Sequence, residues 1–100
     1  MNKKVAIVIV LYESIVEDYS AFKKDGIQLI LIDNTPDRKL NLSGLKLTYI
    51  PLLKNYGIAK AQNIGISKAK ELGCDYVIFF DQDSTVTESF VDNLLHEYVK

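Results

Sequence analysis

A short apolar run that ends in two carboxylates is the feature of this chain that most constrains its fold. Residues 76–80 read Tyr-Val-Ile-Phe-Phe, and Asp81, Gln82 and Asp83 follow directly. Apolar runs of this length, rich in β-branched and aromatic residues, are typical of strands buried on both faces of a parallel sheet. Because a buried charge is costly without water, a cation or a partner, we expect Asp81 and Asp83 to lie where the strand emerges. Open α/β sheets bind their ligands at that edge.

Three other segments have the character of strands. Residues 5–11 are apolar and mostly β-branched without alternation, which predicts a second strand buried on both faces. Residues 27–32 are similar, whereas residues 45–50 alternate between apolar and polar side chains, and Pro51 should end that strand. We expect the fourth strand, which the two carboxylates follow, at residues 75–80.

Helical patterns lie between these strands. Ser14 and Glu17 fit a capping box, which predicts a helix of about three turns ending near Gly26. A second helix should reach Leu72 and end at Gly73, and Thr87 could cap a last helix that runs to the end of the chain. The second helix has a ridge of small residues, four apart, that lets its backbone approach the sheet closely. These residues are Gly57, Ala61, Gly65 and Ala69.

The order of elements is therefore β-α-β-β-α-β-α, in one domain covering residues 1–100. With right-handed crossovers, this order predicts a doubly wound, mainly parallel α/β sheet with strand order 3-2-1-4, the first half of a Rossmann-like fold. Polar residues then converge on one edge of the sheet from three strands. They are Tyr12, Glu13, Asp33, Asn34, Asp81 and Asp83.

Composition excludes several classes of function. The formal net charge is −1 over 100 residues, which argues against a nucleic-acid-binding protein because such proteins need a basic face. The single Cys74 cannot form an internal disulfide, and no apolar run approaches the roughly 20 residues that span a bilayer. We expect a cytoplasmic protein without a transmembrane segment.

The acidic pair admits a functional and a purely structural interpretation. Mg²⁺ and Mn²⁺ prefer oxygen ligands, so Asp81 and Asp83 at a strand end could link a metal to the phosphates of a substrate. Alternatively, Asp81 caps a turn and Asp83 is solvated. Asp33 could accept a hydrogen bond from a nucleobase imide or a ribose hydroxyl, or it could form an Asx turn with Thr35.

Four blocks of the chain resemble family 2 glycosyltransferases of the GT-A fold, in particular the rhamnosyltransferase-like members. The blocks are Val-Ile-Val-Leu-Tyr at 8–12, Leu-Ile-Asp-Asn at 31–34, Asn-x-Gly-Ile-Ala-x-Ala-Gln-Asn-x-Gly-Ile at 55–66, and Asp-Tyr-Val-Ile-Phe-Phe-Asp-Gln-Asp-Ser at 75–84. They span nearly the whole chain, and the last two are specific in their order and spacing. The resemblance implies that the sheet is the donor-binding half of a GT-A fold.

The resemblance also implies roles for individual residues. Asp33 would contact the nucleobase, Tyr12 would line the donor pocket, Asp81 would lie near the ribose, and Asp83 would bind the Mg²⁺ or Mn²⁺ on the diphosphate. Glu13 and Gln82, their neighbours, belong to the same donor-nucleotide site. The donor would be dTDP-rhamnose or a UDP-sugar, and the acceptor a saccharide or a lipid-linked saccharide.

Two positions depart from the family pattern, and one element is missing. Glu13 follows Tyr12 where relatives often have asparagine, and Gln62 stands where many have arginine. The general base of the family corresponds to a position beyond Lys100, so we name no catalytic residue. We expect the chain to be the donor-binding part of a longer enzyme, inactive alone, which could associate peripherally with the inner membrane.

Two other interpretations remain open at this point. The run from Phe79 to Val86 also resembles the first motif of haloacid-dehalogenase-type phosphatases, in which Asp81 would be the nucleophile and Asp83 the acid/base. The chain could instead be a non-catalytic α/β module that self-associates through an uncovered edge of its sheet.

Overall fold

A computed structural model describes residues 4–80 of the chain. It contains four strands, one α-helix and a single 3-10 turn. In chain order these are β1 (Val5–Leu11), the 3-10 turn (Ser20–Phe22), β2 (Ile27–Asp33), β3 (Thr48–Pro51), α1 (Ile58–Glu71) and β4 (Tyr76–Phe80). All strand pairs are parallel, in the order β3-β2-β1-β4. The predicted α/β class and the predicted strand order 3-2-1-4 are confirmed.

Strand β1 is the centre of the sheet, because its apolar run allows burial on both faces. It pairs with β2 on one side and with β4 on the other, and all seven of its residues are buried. Val5, Ile7 and Ile9 pack with Phe22 on one face, whereas alternate residues such as Val8 pack against α1 on the opposite face. Apolar and polar residues do not alternate in this segment because both of its faces are buried, as predicted.

Helix α1 lies close to the sheet through its small residues. Ala61, Gly65 and Ala69 are its buried positions, as predicted from their spacing. A Cβ atom at Gly65 would be 2.5 Å from Cγ1 of Val8, which is far closer than carbon atoms approach. Only glycine fits at this position, since the side chain of Val8 is itself completely buried.

The prediction of a helix between the first two strands is wrong. Instead of three helical turns after Ser14, the structure has only the 3-10 turn at Ser20–Phe22. The backbone carbonyl of Ser14 accepts a hydrogen bond from the guanidinium of Arg38 at 2.7 Å. A long-range contact therefore takes an acceptor that a helix would have used. The apolar residues of the segment, Val16 and Tyr19 among them, still pack on the core, which explains their spacing.

Several strand boundaries in the structure also differ from the predicted ones. The third strand is Thr48–Pro51 rather than residues 45–50, because Leu45 and Leu47 lie in turns held by backbone hydrogen bonds. Pro51 is the last residue of β3. Proline has no backbone N–H to donate, and it is tolerated here because β3 lies at the edge of the described sheet. Strand β2 continues through Asp33, which pairs with Leu11 and Pro51.

Strand β4 is less buried than its apolar sequence predicts. It begins at Tyr76 rather than at Asp75, pairs with β1, and leaves Phe79 40% exposed. Burial on both faces is thus wrong for this strand within the described part of the chain. The predicted last helix at residues 87–100 lies outside the described residues, and self-association through a sheet edge stays a prediction. Between residues 4 and 80, no helix is long and apolar enough to cross a membrane.

Candidate functional site

A pocket of about 550 Å³ lies at the carboxyl ends of β1 and β4. These two strands flank the point where the strand order reverses, because the chain runs outward from β1 to β3 and then returns to the other side of β1. Open α/β sheets bind ligands at this switch point. The described residues that line the pocket are Val8, Val10, Tyr12, Asn34, Asn55, Gly57, Ile58, Gln62, Phe79 and Phe80.

Tyr12 is the predicted site residue that lines this pocket directly. It follows the last residue of β1, and 42% of it is exposed. Phe79 and Ile58 are also exposed and line the pocket. The pocket therefore combines apolar walls with the polar side chains of Asn34, Asn55 and Gln62. Such a mixture suits a flat organic ring attached to a polar group.

The start of α1 forms one wall of the pocket and is held there by asparagine side chains. Nδ2 of Asn34 donates to the carbonyl of Gly57 at 3.0 Å, and Oδ1 of Asn34 accepts from the backbone N–H of Tyr56 at 3.2 Å. Oδ1 of Asn55 accepts from the N–H of Gly57 at 2.9 Å. Gly57 has φ 85 and ψ 163, a conformation that is essentially restricted to glycine.

Asp33 lies at the end of β2 and is completely buried. Its carboxylate accepts four hydrogen bonds, two at each oxygen. Oδ1 accepts from the backbone N–H of Thr35 at 3.0 Å and from Nη2 of Arg38 at 2.9 Å. Oδ2 accepts from Nε of Arg38 at 2.9 Å and from the hydroxyl of Tyr49 at 2.6 Å. The contact with Thr35 is the predicted Asx turn.

These contacts determine the protonation state of Asp33. Burial by itself would raise the pKa of Asp33, but the hydrogen bonds from Arg38, Tyr49 and Thr35 outweigh burial and lower it below 3.8. Hydrogen bonding to Asp33 raises the pKa of Arg38. Burial, followed by the bond to Asp33, raises the pKa of the Tyr49 hydroxyl. The cluster is therefore a stable ion pair at neutral pH, with the tyrosine protonated.

Glu13 connects the loops that follow β1 and β2. Its backbone N–H donates to Oγ1 of Thr35 at 2.8 Å, and its φ of 51 places it in the left-handed region. The side chain of Glu13 is exposed, and Glu13 does not appear among the described residues that line the pocket. The structure thus shows a backbone role for Glu13 in holding the two loops together.

Of the six predicted donor-site residues, Tyr12, Glu13 and Asp33 lie next to each other at the carboxyl edge. Asp81, Gln82 and Asp83 follow β4 directly in sequence but lie outside the described residues. Within residues 4–80 there is no cluster of three or more side chains of the kinds that usually bind metals.

Sequence reasoning placed Asn34 at this edge of the sheet but missed its role, and it missed Asn55 and Arg38, which also shape the site. Asn34 and Asn55 hold the start of α1, and Arg38 covers Asp33. The asparagines could have been found from the sequence, since each stands in a polar segment that follows a predicted strand. Arg38 could not, because its role depends on folding the loop after β2 back onto Asp33.

Two comparisons with known proteins bear on the site. The family model described as "Glycosyl transferase family 2" matches residues 5–100. A curated relative, the dTDP-rhamnosyl transferase RfbF of Shigella flexneri, is 37% identical over 101 residues, which covers 94% of this chain. The chain spans about a third, 34%, of the length of that relative. No solved structure matches the chain.

Proposed function

The chain belongs to glycosyl transferase family 2, and on that basis we propose that it binds a nucleoside diphosphate sugar as the donor site of a glycosyltransferase. The observation that supports this proposal most directly is the position of the pocket. It opens at the switch point of the sheet, at the end of the strand that Asp81, Gln82 and Asp83 follow. The second candidate, a phosphatase, has no support from the family match, which includes these residues.

The described part of the pocket suits the nucleoside portion of such a donor. Tyr12 offers an aromatic face beside the apolar side chains of Ile58 and Phe79, and a base can stack on such a face. Asn34, Asn55 and Gln62 supply neutral hydrogen-bonding groups to the sugar hydroxyls or the diphosphate. Glu13 and Asp33, which we also assign to the donor-nucleotide site, connect the loops beside the pocket.

We propose dTDP-rhamnose as the donor, with a UDP-sugar as the alternative. The choice of dTDP-rhamnose is supported by the name of the Shigella flexneri relative, a dTDP-rhamnosyl transferase. We propose a saccharide, free or lipid-linked, as the acceptor in the complete enzyme. The general base that such a transfer requires is not among the residues to which we assign a role.

A divalent cation, Mg²⁺ or Mn²⁺, completes the proposed site. Asp83 would bind it, with Asp81 and Gln82 near the ribose and diphosphate, because hard cations prefer carboxylate oxygens. The bound metal would stabilise the charge of the departing nucleoside diphosphate. Support for these roles comes from the spacing of the two aspartates directly after β4 and from the family match.

A nucleotide titration followed by NMR tests the proposed function. We expect dTDP or UDP to shift the amide signals of Tyr12, Asn34 and Gln62 and of residues 81–84, and Mn²⁺ to broaden the last group. Asp83→Asn should weaken binding only when the metal is present, because the substitution removes a metal ligand. Asp25→Asn, at the opposite end of β2, is the matched control and should not affect binding. Signals that respond elsewhere, or not at all, would contradict the proposal.

A further inference from the structure

Positive charge is concentrated in the middle third of the chain. All 13 carboxylate side chains lie outside residues 38–70, whereas seven of the 12 basic side chains lie inside that segment. The seven are Arg38, Lys39, Lys46, Lys54, Lys60, Lys68 and Lys70. The formal net charge of −1 therefore conceals a strongly basic segment. A charge distribution of this kind attracts an anionic partner.

Large apolar side chains are exposed in the same segment, between β3 and the first turn of α1. Leu53 is 49% exposed, Tyr56 45% and Ile58 61%. Lys54 and Lys60 are exposed beside them, and Nζ of Lys60 lies 4.5 Å from the centroid of the Tyr56 ring. We call these five residues the Leu53–Lys60 surface. It presents apolar and cationic groups together.

Backbone hydrogen bonds hold this surface in place before any partner binds. The N–H of Leu52 donates to the carbonyl of Asp33 at 2.9 Å, and the carbonyl of Leu53 accepts from the N–H of Asp37 at 2.9 Å. Leu53 has a φ of 65, in the left-handed region that is unfavourable for a leucine. The fold thus keeps an apolar side chain exposed in a fixed conformation, so that binding does not have to order the loop.

A bilayer with anionic lipids matches this combination of groups better than other anionic partners do. Lysine side chains are attracted to acidic headgroups, and apolar side chains gain free energy at the boundary between headgroups and acyl chains. The tyrosine ring also suits this boundary, since one end of it is apolar and the other is polar. A nucleic acid would use the lysines, but its phosphate backbone offers nothing to exposed leucine and isoleucine side chains.

We propose that the Leu53–Lys60 surface docks the protein on a bilayer that contains anionic lipids. Asn55, Gly57 and Ile58 belong to the same short segment and line the pocket. Docking therefore holds the mouth of the pocket close to the lipid headgroups. Together with the proposed function, on which this last step rests, the arrangement favours a lipid-linked saccharide over a free one as the acceptor.

Cosedimentation of the chain with vesicles, in the absence of nucleotide, tests the docking surface. We expect binding to vesicles of equimolar phosphatidylcholine and phosphatidylglycerol, and much weaker binding to phosphatidylcholine alone. Lys54→Gln should weaken binding to the anionic vesicles about fivefold. Leu53→Ser should weaken it about tenfold, because the substitution removes an apolar side chain that enters the bilayer. Lys54→Gln keeps the test available if Leu53→Ser does not fold.

Lys23→Gln and Ile15→Ser are the matched controls. Each removes an exposed side chain of the same kind outside the basic segment, and both variants should bind the vesicles as the wild type does. Equal losses in the controls and in the variants of the Leu53–Lys60 surface would overturn the proposal. Failure of the wild type to bind anionic vesicles would also overturn it, and so would binding to the polyanion heparin without binding to vesicles.

The nucleotide titration separates failure of this proposal from failure of the proposed function. Leu53 and Lys54 are not among the described residues that line the pocket, so Leu53→Ser and Lys54→Gln should bind dTDP with the affinity of the wild type. Binding to vesicles without any binding of nucleotide would support the docking surface and refute only the proposed function. Binding of nucleotide without binding to vesicles would refute only the docking surface.

Discussion

Single side chains at the ends of strands decide how the loops around the pocket are held. Asp33 and Arg38 form an ion pair in which the carboxylate is completely buried and the guanidinium is 22% exposed. A buried charge is tolerated only when its partners satisfy it, and here four donors do so. The consequence is a rigid corner where the chain would otherwise have two independent loops.

Replacing Arg38 with lysine should destabilise the protein by about 2 kcal/mol. The guanidinium makes three hydrogen bonds through its planar fork, two to Asp33 and one to Ser14, and an ammonium group cannot reproduce this geometry. Urea unfolding measures the change in the free energy of unfolding. Lys39→Arg, at the next and exposed position, is the control and should change stability by less than about 0.5 kcal/mol. Equal effects at the two positions would contradict this account.

Acid should remove the stabilisation that Asp33 provides. Because the pKa of Asp33 is lowered below its ordinary value of 3.8 in the folded state, its contribution is fully present above that value. It is lost as the pH falls through the lower, folded-state pKa. The stability difference between the wild type and Asp33→Asn should therefore be constant from pH 7 to about pH 5 and shrink in more acidic solution. Chemical unfolding at each pH measures it; a difference that grew in acid would be inconsistent with the ion pair.

At the scale of elements, the contact between α1 and β1 depends on the absence of a side chain. Glycine in a helix costs about 1 kcal/mol relative to alanine, which is a disadvantage to an isolated helix. At Gly65 the disadvantage is offset because the helix backbone comes within contact distance of Val8. The close packing of α1 also determines the position of its first turn. That turn forms one wall of the pocket.

Gly65→Ala should destabilise the protein by about 1–2 kcal/mol despite the better helix propensity of alanine. The new methyl group would be 2.5 Å from Cγ1 of Val8, and Val8 has no room to move because it is completely buried. Thermal and urea unfolding measure the loss.

Two further variants make the test of this packing specific. Ser67→Ala, on the exposed side of the same helix, should be neutral or slightly stabilising. In a Val8→Ala background, where the clashing methyl groups are gone, Gly65→Ala should no longer destabilise. If the loss persisted in that background, its cause would not be the contact with Val8.

At the scale of the whole molecule, the pocket needs segments that are far apart in the sequence. Its described lining comes from β1 and the residue after it, the turn after β2, the start of α1 and the end of β4. Nucleotide binding should therefore require the folded sheet and should stabilise it as a unit, since the unfolded chain does not bring these segments together.

Saturating dTDP with Mg²⁺ should raise the unfolding temperature of the chain. At about 100 times the dissociation constant, the gain is about 2.7 kcal/mol, or roughly 10–20 °C for a domain of this size. Differential scanning calorimetry measures the shift, with ADP and Mg²⁺ as the control for nonspecific binding of a diphosphate. We also expect no sugar transfer by the chain alone. Transfer to any acceptor, or equal shifts with both nucleotides, would contradict these expectations.

The sequence alone determined the four strands, their order and the edge of the sheet where Tyr12, Glu13 and Asp33 lie. Unbroken apolar runs identified β1 and β2, small residues at every fourth position identified the buried face of α1, and the motifs identified the family. These features depend on local periodicity and on rules of connection that hold for all parallel sheets, so they can be read without coordinates.

Only the tertiary structure decided what the residues after β1 and β2 do. Residues 14–19 are not helical because Arg38, distant in sequence, takes the carbonyl of Ser14. The same residue covers Asp33 together with Tyr49, so the aspartate at the end of β2 is buried in a hydrogen-bonded cluster. No local pattern records the contacts of Arg38 with Ser14 and of Tyr49 with Asp33, since each joins segments that meet only after the sheet has formed.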